Sequence, residues 1–251
     1  MAYFAMSSYA EFAPFYDAIN GEPFDRIRQI LGFIESYNPE AQSVLELGCG
    51  TGAILAGLGS GFSLTGIDLS SEMLAYARRR CPEATLIEAD MTSLHLGSCF
   101  DVVICVFDTL NHVTDFDAWK EVFHGVNNHL NDGGIFIFDV NTIDRLNQLG
   151  DMAPWVHDFD DNTLIMNVDF DGISMSSWHI RVFEKQEDGR FVLHHETISE
   201  LGVALDEIRQ ALTPDFALLK ETDLKGNRPT DASGRALFVW RRNSKETYAG
   251  G

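Results

Sequence analysis

Val44-Leu-Glu-Leu-Gly-Cys-Gly-Thr-Gly52 is a glycine-rich stretch that joins a short apolar run to a helical pattern through Leu55 and Leu58. Its glycines at 48, 50 and 52 permit a sharp turn and let the backbone approach a ligand, because no Cβ stands in the way. The helix that follows offers unpaired N–H groups to an anion or carboxylate. The stretch therefore predicts a strand, a ligand-binding loop and a helix, in that order.

Asp68 ends a second predicted strand, 62–68, and follows the first of these glycines by 20 residues. A carboxylate at that position can accept hydrogen bonds from both hydroxyls of a ribose. The glycines and Asp68 together predict a nucleotide-like ligand with an unphosphorylated ribose. The spacing Gly48-x-Gly50-x-x-Ala53 also satisfies the dinucleotide pattern G-x-G-x-x-G/A, so that ligand class stays open at this point.

Strand and helix patterns alternate from residue 43 to residue 141. The expected helices are 8–38, 71–80 with Ser70 as its N-cap, and 115–130, and the further strands are 84–88, 100–107 and 135–140. Such alternation predicts a parallel α/β sheet. The nearly continuous apolar run at 100–107 is typical of a strand that is covered on both faces.

The pattern changes beyond Asn141. Short β-like runs at 164–170, 174–183 and 191–197 are separated by Asp-Gly pairs at 171–172 and 188–189, which are strong hairpin signals. A helix at 203–212 and two strands, 216–221 and 236–240, come next, with no helix between the strands. We therefore expect an antiparallel β insertion within the α/β domain and an antiparallel end to the main sheet.

The net charge of the chain limits the classes of partner that it is expected to bind. The 251 residues carry 18 Lys plus Arg against 38 Asp plus Glu, a formal net charge of −20. A chain of this charge repels polyanions, so neither a nucleic acid nor an anionic membrane is expected as a partner. The basic cluster Arg78-Arg79-Arg80 is interpreted as the solvated last turn of a helix. Four cysteines without a C-x-x-C pair, no signal-peptide pattern and no long apolar run favour a cytoplasmic protein.

Five motifs in order resemble class I S-adenosylmethionine-dependent methyltransferases. They are Glu46-Leu-Gly-Cys-Gly-Thr-Gly52, Gly66-Ile-Asp-Leu-Ser-Ser-Glu-Met-Leu74, Glu88-Ala-Asp-Met91, Phe100-Asp-Val-Val103 and Gly133-Gly134. The resemblance covers about residues 43–140. It implies a doubly wound, Rossmann-like α/β fold with a seven-stranded sheet whose last strand is antiparallel. It also implies S-adenosyl-L-methionine as the cofactor and S-adenosyl-L-homocysteine as its product.

The resemblance also implies roles for individual residues. Glu46 and Gly48, with Cys49 beside them in the loop, would lie near the amino-acid end of the cofactor, and Gly50 and Gly52 beneath it. Asp68 would bind the ribose. The residues expected around the adenine are Met73, Leu69, Asp90 (as acceptor for the amino group) and Met91, and those bordering the methionyl group are Val106 and Phe107.

A second, shorter resemblance concerns the N-terminal segment. Tyr9-Ala-Glu-Phe-Ala-Pro-Phe-Tyr-Asp17, with 108–113 and 138–142, is similar to small-molecule methyltransferases that carry an inserted β-region, among them amino-sugar N-methyltransferases and uncharacterised bacterial proteins. Tyr9 and Tyr16 either pack this segment or place their rings near the sulfonium. The candidate catalytic residues are His112, Asp108 and Tyr16. His195 or Trp178 is expected to line the substrate pocket.

These observations give a layout and a function. The layout is an N-terminal helical segment over the cofactor site (1–42), a methyltransferase core (43–150 and 201–243), a β insertion acting as a substrate lid (151–200) and a flexible tail (244–251). The expected function is methylation of a small-molecule amine or hydroxyl by a monomer or homodimer. The alternatives are an NAD-dependent oxidoreductase and a non-catalytic cofactor-binding protein. No metal site is expected, because His194-His195-Glu196 lacks a third ligand at metal-like spacing.

Overall fold

The helices and strands of the chain follow the expected alternation in a computed structural model, which describes residues 9–244. The strands are β1 (Ser43–Leu47), β2 (Ser63–Asp68), β3 (Thr85–Glu88), β4 (Phe100–Cys105), β5 (Leu130–Asn141), β6 (Trp155–Phe159), β7 (Asn162–Phe170), β8 (Met175–Lys185), β9 (Phe191–Leu201), β10 (Phe216–Thr222) and β11 (Arg235–Arg242). The helices are α1 (Tyr16–Asn20), α2 (Phe24–Tyr37), α3 (Ala53–Leu58), α4 (Ser71–Arg80), α5 (Phe116–His129), α6 (Ile143–Gly150) and α7 (Leu205–Leu212). None of these helices, all within 9–244, is long and apolar enough to cross a bilayer.

The main sheet has seven strands in the order β10-β11-β5-β4-β1-β2-β3. Strands β5, β4, β1, β2 and β3 are parallel to one another. β11 pairs antiparallel with β5, for example Phe238 opposite Phe138, and β10 pairs antiparallel with β11. The predicted Rossmann-like sheet with an antiparallel end is therefore confirmed. The carboxyl ends of β1, β4 and β5 meet at one edge, where open α/β sheets bind ligands.

Helices cover both faces of this sheet. On one face, Trp119 and Phe123 of α5 pack with Phe136 and Phe138 of β5. On the other face, α2 packs its buried isoleucines against β1, β4 and β5. Burial on both faces explains why the sequence of β4 is apolar nearly throughout.

A second sheet of four antiparallel strands, β6-β7-β8-β9, stands beside the main sheet. The two Asp-Gly pairs form its turns, with Gly172 and Gly189 at positive φ (82° and 80°), as the hairpin signal predicts. The N-terminal segment packs on this sheet through Phe12 and Phe15, which join a cluster with buried residues of β6 to β9. The second sheet and the N-terminal segment thus form one apolar unit.

The secondary structure differs from the predictions in four places. The helix expected at 8–38 is interrupted, because Gly21 adopts a left-handed φ of 66° and Pro23 follows without a backbone N–H. β5 begins at Leu130 rather than at 135. Two elements, α6 and β6, were not predicted. The start of the N-terminal segment (1–8) and the tail from 245 to 251 lie outside the described residues.

Candidate active site

The glycine loop between β1 and α3 uses its three glycines in different ways. All three have positive φ, at 66°, 53° and 77° for Gly48, Gly50 and Gly52. A Cβ on Gly48 would lie 2.3 Å from the Thr109 side chain, and a Cβ on Gly52 would press on Ala77 and Cys81. Among residues 9–244, a Cβ on Gly50 would meet no atom within 4 Å. Gly48 and Gly52 are thus needed for packing, whereas Gly50 borders open space.

Asp68 connects this loop to the end of β2. One carboxylate oxygen accepts a hydrogen bond from the Gly50 N–H (2.7 Å) and the other from the Ser70 N–H (2.9 Å). Ser70 in turn caps α4 by accepting from the Met73 N–H, as predicted. Burial raises the pKa of Asp68, although these backbone donors oppose the shift. A carboxylate can accept further hydrogen bonds, so Asp68 keeps acceptor capacity for a ligand.

Glu46, the last but one residue of β1, is an unusual acid. Glu46 is only 3% exposed, and within the described residues 9–244 its Oε2 atom has no hydrogen-bond partner. Burial, and then the charge of Asp68, raise the pKa of Glu46 well above its ordinary value. A buried acceptor without a partner is costly, which points to a donor that arrives with a ligand.

Three adjoining cavities lie at this edge of the main sheet, and two of them border the glycine loop. The large cleft, about 880 Å³, is bordered by Glu46, the glycine loop and α2. The inner cavity, about 90 Å³, is bordered by Asp68, Leu69, Met73, Met91 and His112, among others. The side cavity, about 260 Å³, lies between the N-terminal segment and the four-stranded sheet. Three rings line both the inner and the side cavity: Tyr9, Tyr16 and Phe107.

The N-terminal segment is held against the glycine loop by polar contacts at both of its ends. The Tyr9 hydroxyl lies 2.9 Å from His112 Nε2, and the Thr51 hydroxyl donates to Asp17 Oδ1 (2.6 Å). Arg80 reaches Asp17 as well, at 3.1 Å. The interpretation of Arg80 as a solvated helix end is therefore wrong, because it forms ion pairs across to this segment, whereas Arg78 and Arg79 are exposed.

A network of buried charges lies at the carboxyl ends of β4 and β5. Arg235 of β11 forms ion pairs with Asp108 (2.8 Å) and Asp139 (3.2 Å), and Arg26 of α2 pairs with Asp139 at 2.9 Å. Burial would raise the pKa of Asp108, but Arg235 and His112 bring it below its ordinary value. Asp108 is therefore ionised. Its φ of 52°, next to 61° at Phe107, is a strained conformation that the network maintains.

Glu200 of β9 brings the second sheet into this network. The residue is 2% exposed, and its carboxyl accepts a hydrogen bond from the Asn141 side chain at 2.9 Å. Asn141 also donates to Asp108, at 2.9 Å. Burial, and then the charge of Asp108, raise the pKa of Glu200 well above its ordinary value. The Asn141 side-chain amide, which donates to both acids, connects the two carboxyls.

His112 also lies beside these acids. Burial lowers its pKa, although Asp108 acts in the opposite direction, so His112 is neutral near pH 7. Its Nδ1 lies 3.4 Å from the backbone oxygen of Ser199 in β9. The ring therefore connects the end of β4 to the second sheet.

Most of the site residues predicted from the sequence border one of the cavities. The ones that do so are Tyr9, Tyr16, Glu46, Gly48, Cys49, Gly50, Asp68, Leu69, Met73, Met91, Val106, Phe107, Asp108 and His112. Gly52 and Asp90 do not. Asp90 instead caps a short turn, accepting from the Thr92 N–H and hydroxyl, and its contact with an adenine stays a prediction. Trp178 lines the side cavity, whereas His195 is exposed on β9, and a role for either in binding the substrate stays a prediction.

Sequence reasoning missed four polar residues of the site: Arg26, Asn141, Glu200 and Arg235. The alternation of β9 held a weak signal for Glu200. Because Glu200 is two residues from Ile198, which is buried, it lies on the same inward face of the strand. Arg26 and Arg235 gave no signal, because their partners lie far away in the chain.

Comparison with known proteins agrees with this geometry. A family model described as "Methyltransferase domain" matches residues 44–134. A protein of Geobacillus sp. (strain WCH70) named "Putative methyltransferase" is 27% identical over 246 residues, which are 94% of this chain and 100% of that protein. The crystal structure of an S-adenosylmethionine-dependent methyltransferase from Clostridium acetobutylicum ATCC 824 superimposes with a TM-score of 0.83 at 25% identity, covering 94% of this chain and 99% of that one.

The chain belongs to the class I S-adenosylmethionine-dependent methyltransferases. A further relative of this methyltransferase is dTDP-3-amino-3,6-dideoxy-alpha-D-glucopyranose N,N-dimethyltransferase of Streptomyces fradiae, with 36% identity over 121 residues. That match covers 45% of this chain and about half (48%) of the relative. The family and fold expected from the sequence are confirmed. The antiparallel β11 and β10 are also the feature that separates this fold from the six parallel strands of the alternative, an NAD-dependent dehydrogenase.

Proposed function

We propose that this methyltransferase transfers a methyl group from S-adenosylmethionine to the amine or hydroxyl of a small molecule. The connection between the cavities carries the proposal. Tyr9, Tyr16 and Phe107 border the inner cavity, beside Asp68, and also the side cavity, beneath the second sheet. A donor held near Asp68 and an acceptor held in the side cavity meet at these rings, which is the proximity that the reaction requires.

The residues of the large cleft suit the methionyl half of the cofactor. Glu46 Oε2, which has no hydrogen-bond partner within residues 9–244, is an acceptor for the ammonium group of an amino acid. Val106 and Phe107 border the same cleft and offer apolar surface beside it. A cation at Glu46 would also offset the burial that now raises the pKa of this acid.

The inner cavity suits the adenosine half. Gly50 leaves open space beside the loop, and Asp68 retains acceptor capacity for two ribose hydroxyls. Met73, Leu69 and Met91 supply apolar contacts for an adenine. These assignments follow the family motifs residue by residue, and the open space at Gly50 supports them independently.

When it is bound, S-adenosylmethionine supplies an already activated methyl group on a sulfonium. The chain then has to orient the acceptor, exclude water and manage one proton. The faces of Tyr9 and Tyr16 are suited to a nearby cation. Of the two candidate bases, His112 is the better one, because it is neutral, whereas Asp108 is ion-paired with Arg235 and has a lowered pKa.

The proposal of an amine is supported by the printed activity of the Streptomyces fradiae relative, an N,N-dimethyltransferase. The side cavity supports a small acceptor, because its volume of about 260 Å³ is below the ~300–1,000 Å³ that commonly encloses a drug-sized ligand. The net charge of −20 makes a nucleic-acid acceptor unfavourable. We expect a monomer or homodimer, with no nucleic-acid or membrane partner.

Calorimetric titration with S-adenosylhomocysteine tests the cofactor site. Asp68→Ala removes the proposed acceptor for the ribose hydroxyls and the hydrogen bond that Asp68 accepts from Gly50 in the glycine loop. We therefore expect the affinity for S-adenosylhomocysteine to fall about 10- to 100-fold, as for loss of a charge-assisted hydrogen bond. Asp161→Ala is the matched control, because Asp161 lies in the turn between β6 and β7 and is 78% exposed. No binding to the wild type at about 1 mM, or equal affinity in Asp68→Ala, would contradict the site.

A further inference from the structure

The side cavity has walls of two kinds. Most of its lining is aromatic or aliphatic and comes from the N-terminal segment and from β6 to β9, including Phe12, Trp155 and Trp178. Its polar end consists of Asp108, Glu200 and Arg235. A ligand that fills this space therefore presents an apolar body to the sheet and one polar group to the acids.

The charges at the polar end determine which polar group it accepts. Arg235 and Arg26 are neutralised by Asp108 and Asp139, two cations against two anions. Glu200 is the fifth ionisable group, and within residues 9–244 no Lys, Arg or His lies within ion-pair distance of it. An ionised Glu200 would thus leave the polar end with one negative charge. That surplus attracts a cation and repels a carboxylate or phosphate.

We propose that Asp108 and Glu200, which line the side cavity and are joined through Asn141, form an acid pair that binds the ammonium group of a compact amine. The inference rests on the proposed function and specifies its acceptor: a small organic cation with an apolar or aromatic body. It also assigns Glu200 as a residue that selects the acceptor by charge.

Binding of the ammonium balances without a further reactant. Burial and the charge of Asp108 raise the pKa of Glu200, so an ammonium that binds between two ionised carboxylates displaces a proton from Glu200 to solvent. The titratable or charged groups that face the pair are Arg235 of β11, Arg26 of α2, Asp139 of β5, His112, and Tyr9 and Tyr16 of the N-terminal segment.

The size of the cavity sets the size of the amine. At roughly 30 Å³ for each water-sized group, about 260 Å³ holds about nine such groups. That is enough for one ring with a short side chain. We therefore choose three probes of nearly equal size: phenethylamine (a cation), 2-phenylethanol (neutral) and phenylacetate (an anion).

The test is calorimetry of these probes with the S-adenosylhomocysteine-loaded protein at pH 7, in two buffers with different ionisation enthalpies. We expect phenethylamine to bind with a Kd of about 1 mM or tighter, at least ~10-fold more tightly than either other probe. The buffer dependence should show release of about one proton per bound amine. Glu200→Gln should weaken phenethylamine about 10- to 100-fold and abolish proton release, while its affinity for S-adenosylhomocysteine is unchanged.

Glu187→Gln is the matched control, since Glu187 makes the same charge change on an exposed hairpin and should behave as wild type. Absence of phenethylamine binding, equal binding of the three probes, or unchanged proton release in Glu200→Gln would overturn the acid pair. Failure of the wild type to bind S-adenosylhomocysteine would instead refute the proposed function, so the two failures are distinguishable.

Discussion

Alanine at Gly50 should separate the strain of the glycine loop from its contact with the cofactor. Gly50 has a φ of 53°, lines two cavities, and has room for a Cβ, which would meet no atom of residues 9–244 within 4 Å. Gly97, in the loop before β4, has a φ of 69° and equally open space among these residues, but borders none of the three cavities described. Both substitutions therefore place alanine at a positive φ, and only one places a methyl group beside the proposed ligand.

The magnitudes follow from that comparison. A left-handed conformation costs a non-glycine residue about 1–2 kcal/mol, so both variants should lose ~2–8 °C in Tm. A methyl group forced into a filled site costs about 1–3 kcal/mol, which corresponds to a ~5- to 150-fold higher Kd for S-adenosylhomocysteine. Only Gly50→Ala should show this second effect.

Thermal unfolding by fluorescence measures the first effect, and calorimetric titration measures the second. Wild-type affinity in Gly50→Ala would refute the reasoning that this loop passes beneath the cofactor. An equal loss of affinity in Gly97→Ala would show that general destabilisation, rather than contact, is the cause.

Three further predictions concern the buried network. Arg235→Met leaves buried acids without their cation, which costs about 3–5 kcal/mol, so Tm should fall by ~6–20 °C. The control is Arg190→Met, at a side chain that is 85% exposed, which should change the free energy of unfolding by less than ~0.5 kcal/mol. The pKa of Glu200 is raised in the folded protein, so its contribution to stability is full below its ordinary pKa of 4.5 and is lost as pH rises towards the folded value. The wild type therefore loses this stability between pH 4.5 and pH 7, whereas Glu200→Gln does not, and the Tm of Glu200→Gln minus that of the wild type should increase over this range. A constant difference in Tm would contradict a raised pKa at Glu200. Tyr9→Phe removes the contact with His112 Nε2 and should cost about 1 kcal/mol in urea denaturation; an unchanged midpoint would show that this contact is not formed in solution.

The parts of the site that the sequence could predict are those encoded within a few residues. The glycine loop and the Asp68 that braces it lie on adjacent parallel strands, so their spacing along the chain almost determines their spacing in the fold. The cap at Ser70 and the Asp-Gly turns are local for the same reason. Family resemblance added the identity of the ligand to these signals.

The parts that could not be predicted depend on contacts between distant segments. Arg235 meets Asp108 across 127 residues, and Asn141 meets Glu200 across 59. Neither contact leaves a periodic trace in the sequence, because the register of β11 and β9 against the site is set by packing of the whole sheet. Gly21 and Pro23 are residue types that end helices, so the sequence did contain a signal for the break in the first helix. The apolar spacing on either side of them nevertheless suggested one continuous helix.

Asp90 shows where a motif and a structure give different information. The motif implies an adenine contact, whereas the described contacts of Asp90 are those of a cap on the turn after β3. Only Oδ1 of Asp90 accepts the hydrogen bonds of that cap, so the carboxylate could also accept a hydrogen bond from an adenine amino group. Its role as a cofactor ligand stays a prediction that a structure with S-adenosylhomocysteine would test.

The central claim is methyl transfer to a small molecule, and it is tested most directly by following the methyl group itself. The wild-type protein and Asp68→Ala would each be incubated with trideuteromethyl-labelled S-adenosylmethionine and a cell extract separated into small-molecule, lipid, nucleic-acid and protein fractions. We predict enzyme-dependent label in the small-molecule fraction, on a compact amine, and its loss in Asp68→Ala. Label confined to the lipid, nucleic-acid or protein fraction, or no label with protein that binds the cofactor, would contradict the account.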